Sequence, residues 1–242
     1  MKDSKLNLFG HYLNLAFFFF YRFKGNNYAT MREYFAKVLI SEVENFFPLY
    51  GKKVLDVGGA RGEFCQVLAQ KRSCDAINLD PNPGKYIWKN TYMGVADKIP
   101  FGNNEFDLVI CRGVLEHIPT EKQQQSLNEM FRVTKKGGYS YILVPMWFNL
   151  KAGHHLAPFH LLPFESAKFL RRMIFRNKIC GNSFADENLY KTTFSKTLRM
   201  ISESKFKVIT TKDTHFRLHF LTKIPLLREV LVPDVAFILK KE

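Results

Sequence analysis

The sequence is poor in cysteine. The four cysteines among its 242 residues are scattered, and they stand at Cys65, Cys74, Cys111 and Cys180. None belongs to a CxxC pair, and none has a histidine at ligand spacing, which argues against a zinc site and against a disulfide framework. We therefore expect a reduced, intracellular setting and no metal.

Long hydrophobic runs are also missing. No stretch reaches the roughly 18 apolar residues that a membrane-spanning helix needs. In AFFFFYRFKG, Arg22 and Lys24 follow the apolar run, whereas a signal peptide places basic residues before it. We expect a cytoplasmic protein. Residues 13–24 can contact the inner face of the membrane, fold over a ligand site or join the core.

Acidic residues are few. The chain has 36 Lys and Arg against 22 Asp and Glu, a formal net charge of +14. Residues 150–242 alone contain 17 basic and 8 acidic residues. Such a basic C-terminal third can attract nucleic acid, anionic lipid or a phosphorylated substrate, and a solvated basic surface is the plain alternative.

Hydrophobic periodicity predicts alternating strands and helices, which is typical of an α/β protein with a doubly wound, mostly parallel sheet. The predicted strands are 53–57, 75–79, 92–95, 106–111, 139–145, 206–211 and 235–241. The predicted helices are 30–47, 62–71, 84–89, 121–133 and 164–173. We divide the chain into an N-terminal helical cap (1–48), a core (49–145), a substrate-cap insertion (146–205) and the last two strands (206–242).

The stretch VLDVGGARGEF, residues 54–64, predicts a ligand-binding loop between a strand and a helix. A dinucleotide fingerprint starting at Gly58 would need small residues at 60 and 63, and position 63 is Glu. Asp56 would repel a pyrophosphate but suits a ligand with an ammonium group, such as S-adenosylmethionine. Ala60 is tolerable with a negative φ, and a positive φ there would cost about 1 kcal/mol.

The loop and the blocks that follow it resemble class I S-adenosylmethionine-dependent methyltransferases of the type 11 family. The blocks are DVGGARG, NLDPNP, PFGNNEFDLV, VLEHIP and FRVTKKGGYSYILVP, within residues 52–148. The resemblance implies a seven-stranded Rossmann-like sheet with an antiparallel last strand, S-adenosylmethionine as cofactor, and these cofactor-binding residues: Asp56, Gly58, Gly59, Ala60, Gly62, Asp80, Pro81, Asp97, Lys98, Cys111 and Arg112.

Catalytic candidates follow the fourth predicted strand and occupy the insertion. Glu116 and His117 lie where members of this family often approach the reacting methyl group. In KAGHHLAPFHLLPF, His155 and His160, with the neighbouring His154, can provide a base for a hydroxyl acceptor, since a neutral alcohol is a poor nucleophile. A packing or hydrogen-bonding role is the alternative for each.

The segments GHHLAPFHLLPF, NLYKTTFSKTL and KIPLLREVLVPDVAFILKK resemble type 11 methyltransferases of surface-glycan and lipid-linked sugar pathways. This resemblance implies methyl transfer to a small molecule, glycan or lipid-linked sugar, at oxygen. The aromatic, basic insertion suits such an acceptor, because aromatic side chains stack on sugars and Lys or Arg can bind a pyrophosphate linker. An RNA methyltransferase is less favoured, because no recognised RNA-binding module accompanies the charge. A catalytically silent methyltransferase-like binding module is the third alternative.

Overall fold

The computed structural model describes residues 8–21, 27–85, 87–176 and 179–242. The described strands are β1 (Lys53–Val57), β2 (Asp75–Asp80), β3 (Thr91–Met93), β4 (Phe106–Arg112), β5 (Thr134–Pro145), β6 (Lys207–Asp213) and β7 (Asp234–Lys240). The described α-helices are α1 (Leu8–Tyr21), α2 (Asn27–Val43), α3 (Glu63–Arg72), α4 (Thr120–Val133), α5 (Phe164–Phe175), α6 (Phe194–Glu203) and α7 (Pro225–Val230). Short 3₁₀ turns follow β4, β5 and β6.

The strands form one sheet in the order β3-β2-β1-β4-β5-β7-β6. The first five strands in this order run parallel, and β7 runs antiparallel to both β5 and β6. The predicted doubly wound sheet with an antiparallel last strand is therefore confirmed. The chain winds outward from β1 to β3 and then returns to place β4 on the other side of β1, so the topology switches between β1 and β4.

Two apolar cores cover the faces of the sheet. Alternate residues of each strand point to opposite faces. On one face α2 and α3 pack over Val54 and Ile110, and on the other α4 and α6 pack over Leu55 and Val109. Because both faces are buried, β1, β2 and β4 are mainly apolar, which is why their positions could be predicted.

Two predicted helices differ from the structure. Helix 84–89 is wrong: residues 81–85 and 87–90 form bends without helical hydrogen bonding. This segment is tied instead to its neighbours, since Ile87 N–H donates to Arg61 O and Trp88 Nε1 donates to Ala76 O. The N-terminal helix predicted at 30–47 begins three residues earlier, at Asn27, and ends at Val43.

Residues 146–190 cover the end of β5 with a small apolar cluster of their own, built on Trp147, Leu156, Ala167 and Leu189. Residues 214–233 connect β6 to β7 at the same edge of the sheet, because β6 runs parallel to β5. The predicted boundaries of the four domains stay a prediction. Among the described helices, none is both long and apolar enough to cross a bilayer.

Candidate active site

The predicted donor-binding residues lie along one edge of the sheet. Asp56 stands near the end of β1, Asp80 ends β2 and Arg112 ends β4, and these three strands are neighbours. The edge includes the switch between β1 and β4, where ligands bind in open α/β sheets. The fold therefore brings together residues that are up to 56 positions apart in the sequence.

Two glycines of the loop between β1 and α3 leave no room for a side chain. Gly58 has a φ of +74°, and a Cβ there would lie 2.3 Å from a methyl group of Val114. A Cβ on Gly59 would lie 2.2 Å from Asn78 Oδ1 and 2.4 Å from Asp56 Oδ2. Because real Cβ atoms do not approach so closely, glycine is required at both positions.

Two hydrogen-bond acceptors converge beneath this loop. Asp56 and Asn78 are paired across β1 and β2. Because Asp56 Oδ2 and Asn78 Oδ1 both lie so near the position that a Cβ on Gly59 would take, the two oxygens are within about 4.6 Å of each other. Both oxygens are buried, and neither has a hydrogen-bond partner among the described residues. A buried acceptor without a donor is unfavourable. The site is thus suited to a ligand or proton that supplies donors.

Burial raises the pKa of Asp56 to about 6, against the lowering effect of the positive charges of Arg112 and Arg32. The side chain of Arg112 is itself largely enclosed and stacks on the ring of Phe64, with 3.6 Å between the guanidinium carbon and the ring centroid. Burial lowers the pKa of Arg112 to about 10. A carboxylate with a pKa near 6 responds to a cationic ligand within the neutral range.

Ala60 adopts the left-handed conformation, with a φ of +51°. The sequence left open whether the φ of Ala60 is negative and relaxed or positive and strained, and the structure shows the positive, strained conformation. Its backbone N–H donates to Asp80 Oδ2 at 2.8 Å, and its carbonyl accepts from Asn78 Nδ2 at 2.9 Å. Two side chains of β2 therefore hold the strained peptide in place.

Asp80 and Asp97 each have a protein partner and some exposure. The second oxygen of Asp80 accepts from Asn82 N–H at 2.8 Å, which leaves lone pairs on both oxygens for adjacent ribose hydroxyls. Asp97 lies 3.1 Å from Lys122 Nζ. Pro81 and Lys98 are exposed beside these two acids. The donor-binding role of all four stays a prediction.

Cys111 is the one predicted donor-site residue on β4 that is completely enclosed. Burial raises the pKa of its thiol well above the usual range. A protonated, buried thiol is a poor nucleophile. Cys111 can therefore contribute to the site only through packing and its backbone.

Glu116, His117 and His154 come together just beyond β4. Their carboxylate and imidazole ligand atoms all lie within 4.8 Å of one another, and His154 Nε2 is 3.6 Å from Glu116 Oε1. Hydrogen bonding to Glu116 raises the pKa of His154. The φ of His154 is +47°, a strained conformation of the kind that occurs at functional sites. The group can accept a proton, and its donor set also fits a divalent cation.

This cluster adjoins the glycine loop. A Cβ on Gly113 would lie 3.3 Å from Glu116 Oε1, and the next residue, Val114, is the one against which Gly58 packs. The 3₁₀ turn at Leu115–His117 therefore carries Glu116 from the switch point toward the cap. His154 reaches it from the segment after β5.

The other two histidine candidates lie elsewhere. His155 Nε2 is 2.8 Å from Glu187 Oε2 within the cap. His160 is buried, its Nε2 donates to the carbonyl of Trp147 at 2.8 Å, and burial lowers its pKa. The structure thus groups Glu116 and His117 with His154, and it places His155 and His160 outside that group.

Sequence reasoning missed Asn78 and Arg32. A polar residue inside the apolar strand AINL is a signal that could have identified Asn78, because a buried amide needs a specific partner. Arg32 lies on α2, where its guanidinium approaches Glu63 Oε2 at 3.2 Å and adds positive charge near Asp56. One arginine on a charged helix face gave no signal for that role.

The strand order and the site at the β1/β4 switch define the class of Rossmann-like methyltransferases. A family model described as a methyltransferase domain matches residues 31–177. The chain therefore belongs to this methyltransferase family, and the predicted family resemblance and enzyme class are confirmed.

Known proteins similar to this chain support its assignment to the methyltransferases. The chain is 26% identical over 205 residues to an uncharacterized methyltransferase of Mycobacteroides abscessus, covering 79% of this chain and 77% of that protein. Its fold is similar to that of a SAM-dependent methyltransferase from Archaeoglobus fulgidus (TM-score 0.55, 18% identity, 88% of this chain and 99% of the other). It is also similar to a TehB-like SAM-dependent methyltransferase from Corynebacterium glutamicum (TM-score 0.56, 13% identity, 87% and 88%).

Proposed function

We propose that the protein transfers a methyl group from S-adenosylmethionine to a hydroxyl oxygen of a glycan, a lipid-linked sugar or another small molecule. The observation that carries the donor half is the pair of unpartnered acceptors, Asp56 Oδ2 and Asn78 Oδ1, beneath the glycine loop at the switch point. The acceptor half rests on the cluster of Glu116, His117 and His154 beside that loop.

The residues present fit the donor. S-adenosylmethionine supplies a methyl group on a sulfonium, an electrophile that needs no further activation. The Asp56 carboxylate would attract its ammonium group, and the lone pairs of Asp80 would accept from the ribose hydroxyls. Asp97 would accept from the adenine amine. Gly58, Gly59 and Gly62 add no side chains of their own to the loop, which lets a ligand approach its backbone closely.

The acceptor hydroxyl requires a base. His154, in its neutral form, would accept the hydroxyl proton while the oxygen bonds to the methyl carbon and the carbon–sulfur bond of the donor breaks, leaving S-adenosylhomocysteine. Glu116 would stabilise the resulting imidazolium. Glu116 is then a positioning residue, since it acts through His154. The product oxygen is a neutral ether once the proton has moved to the imidazole.

A binding experiment tests the donor half. Isothermal titration calorimetry with S-adenosylhomocysteine should detect binding by the parent protein and not by Asp80→Asn. Asp75→Asn is a matched control at the other end of the same strand, and it should bind like the parent. Absence of binding by the folded parent would refute donor recognition.

The acceptor half needs a cellular assay. Mass spectrometry of glycans, lipids and RNA from a deletion strain should show a species lighter by one methyl group, about 14 Da, in the glycan or lipid fraction. With that acceptor in hand, His154→Gln should reduce kcat by about 10²-fold or more. If a chelator abolishes activity and a divalent cation restores it, the cluster binds metal and the base assignment is wrong.

A further inference from the structure

The exposed apolar side chains of the protein are concentrated at one edge. Among the residues that the structure describes, 26 large hydrophobic side chains are exposed, and 19 of them belong to α1, residues 146–193 or residues 214–233. These three segments are far apart in the sequence. The rest of the described chain carries only 7 of the 26, so the bias requires a cause specific to these segments.

All three segments meet at the edge of the sheet that carries the active site. Residues 146–193 leave the end of β5, and residues 214–233 connect the end of β6 to the start of β7. α1 joins them, because His11 Nε2 donates to the carbonyl of His215 at 2.8 Å and Tyr12 Oη donates to that of Phe216 at 2.6 Å. The apolar surface and the candidate site therefore face the same side.

The same edge is basic. Residues 146–193 and 214–233 contain 10 Lys and Arg against 4 Asp and Glu. On α5, the exposed Phe169 and Met173 are four residues apart and lie on one helix face, beside Arg172 and Arg176. Apolar side chains flanked by long cationic ones are typical of helices that lie in the interface of a bilayer.

A cavity of about 200 Å³ lies beside this face of α5, lined by Lys168, Arg172, Ile179 and Cys180. Lys168 and Arg172 beside Ile179 supply cationic groups for a lipid phosphate next to an apolar side chain for its first acyl carbons. α1 adds a helix without charged residues, on which Leu13 is more than half exposed. Over its 14 described residues it extends about 21 Å, compared with about 30 Å for the hydrocarbon core of a bilayer.

We propose that this edge, formed by α1, α5 and residues 214–233, docks on an anionic membrane surface, so that the active site opens toward lipid headgroups. Apolar area and positive charge act together in such binding, which explains why both are enriched on the same segments. The part of the sequence prediction that concerns residues 22–24 lies outside the described residues.

Vesicle flotation tests the proposal. The parent protein should float with vesicles of phosphatidylcholine and phosphatidylglycerol at 7:3 and should bind pure phosphatidylcholine at least tenfold more weakly. The double variant Phe169→Glu, Leu226→Glu changes side chains that are 62% and 72% exposed, and it should lose at least tenfold in partitioning. Tyr50→Glu is the matched control: Tyr50 is 77% exposed but precedes β1 at the opposite edge.

A second pair of variants tests the charge. Arg172→Gln with Arg176→Gln should weaken binding and reduce its dependence on salt, whereas Lys71→Gln with Lys136→Gln, exposed away from this edge, should change neither. Thermal stabilisation by S-adenosylhomocysteine in every variant would show that the fold and the donor site are intact. Absence of this stabilisation in the parent protein would refute the proposed function, and the flotation of the folded parent would still report on membrane binding.

Three results would overturn membrane docking. In the first, the folded parent floats with neither vesicle. In the second, it binds both vesicles equally. In the third, the edge variant and Tyr50→Glu lose membrane partitioning to the same extent. A protein partner would then be the remaining occupant of the apolar edge.

Discussion

Replacing the Asp56 carboxylate by an amide should stabilise the ligand-free protein and at the same time abolish its response to ligand. The pKa of Asp56 is raised from an ordinary value of 3.8 to about 6, with burial as the first cause. Each pKa unit corresponds to about 1.36 kcal/mol. Above pH 6 the folded protein therefore holds a buried charge that costs it about 3 kcal/mol relative to the unfolded chain.

The sign follows from proton linkage. Between pH 6 and pH 3.8 the folded protein binds a proton that the unfolded chain releases, so the penalty shrinks as the pH falls. It amounts to about 3 kcal/mol at pH 8, about 1.5 kcal/mol at pH 5 and about 0.5 kcal/mol at pH 4. The amide introduced by Asp56→Asn would carry no charge, and it could donate to Asn78 Oδ1, an acceptor that now has no partner among the described residues.

Urea denaturation at pH 8, 5 and 4 measures this effect. Asp56→Asn should be more stable than the parent at pH 8, and the gain should decline toward pH 4. S-adenosylhomocysteine at 100 times its Kd should stabilise the parent by about 2.7 kcal/mol and leave the variant unchanged. A gain independent of pH, a loss of stability at pH 8, or a retained ligand response would refute the reasoning.

Three further changes have defined outcomes. Ala60→Gly should raise the free energy of unfolding by about 1 kcal/mol, because glycine adopts the φ of +51° without strain, and urea denaturation measures it. Glu116→Gln should shift the acidic limb of the kcat–pH profile to lower pH, because the Glu116 carboxylate raises the pKa of His154 and the base acts when neutral. Glu105→Gln should lower stability by about 0.5 kcal/mol at pH 7, as hydrogen bonding to Lys53 lowers the pKa of Glu105, and the difference should disappear as the pH falls through that pKa.

Matched variants separate these effects from general damage. Ala69→Gly, in the middle of α3, should destabilise by about 1 kcal/mol and so oppose Ala60→Gly. His155→Gln alters the neighbour of His154 without touching Glu116, and it should leave the pH profile in place. If Ala60→Gly destabilises as Ala69→Gly does, the loop is not strained; if His154→Gln and His155→Gln act alike, the pairing of Glu116 with His154 is wrong.

The core of the fold was predictable because its strands are buried on both faces. Their apolar runs and the acidic residues at their ends set both the sheet and the approximate place of Asp56 and Asp80. The segment at 84–89 was not predictable in the same way. Its conformation depends on Ile87 and Trp88 bonding to the glycine loop and β2, contacts that no local pattern encodes.

The candidate cluster of Glu116, His117 and His154 was also only partly predictable from the sequence. The sequence marked Glu116, His117 and the histidines of the cap as polar residues near the site, but helical or strand periodicity does not pair residues 38 positions apart. Selecting His154 over His155 depends on the 3₁₀ turn that these residues begin and on the positive φ of His154, which together turn one ring toward Glu116 and the other toward Glu187.

At Ala60, a strained local backbone conformation is stabilised by hydrogen bonds to residues of a neighbouring strand. A left-handed alanine is unfavourable by about 1 kcal/mol on its own. Its N–H and C=O, however, are both used, by Asp80 and by Asn78, and each such hydrogen bond contributes about 1 kcal/mol. The two bonds therefore offset the strain, and they do so only while Asp80 keeps its orientation. The backbone of the residue in the middle glycine slot thus holds the acid predicted to bind ribose. Because both bonds use only backbone atoms of residue 60, Ala60→Gly should keep this geometry while it removes the strain.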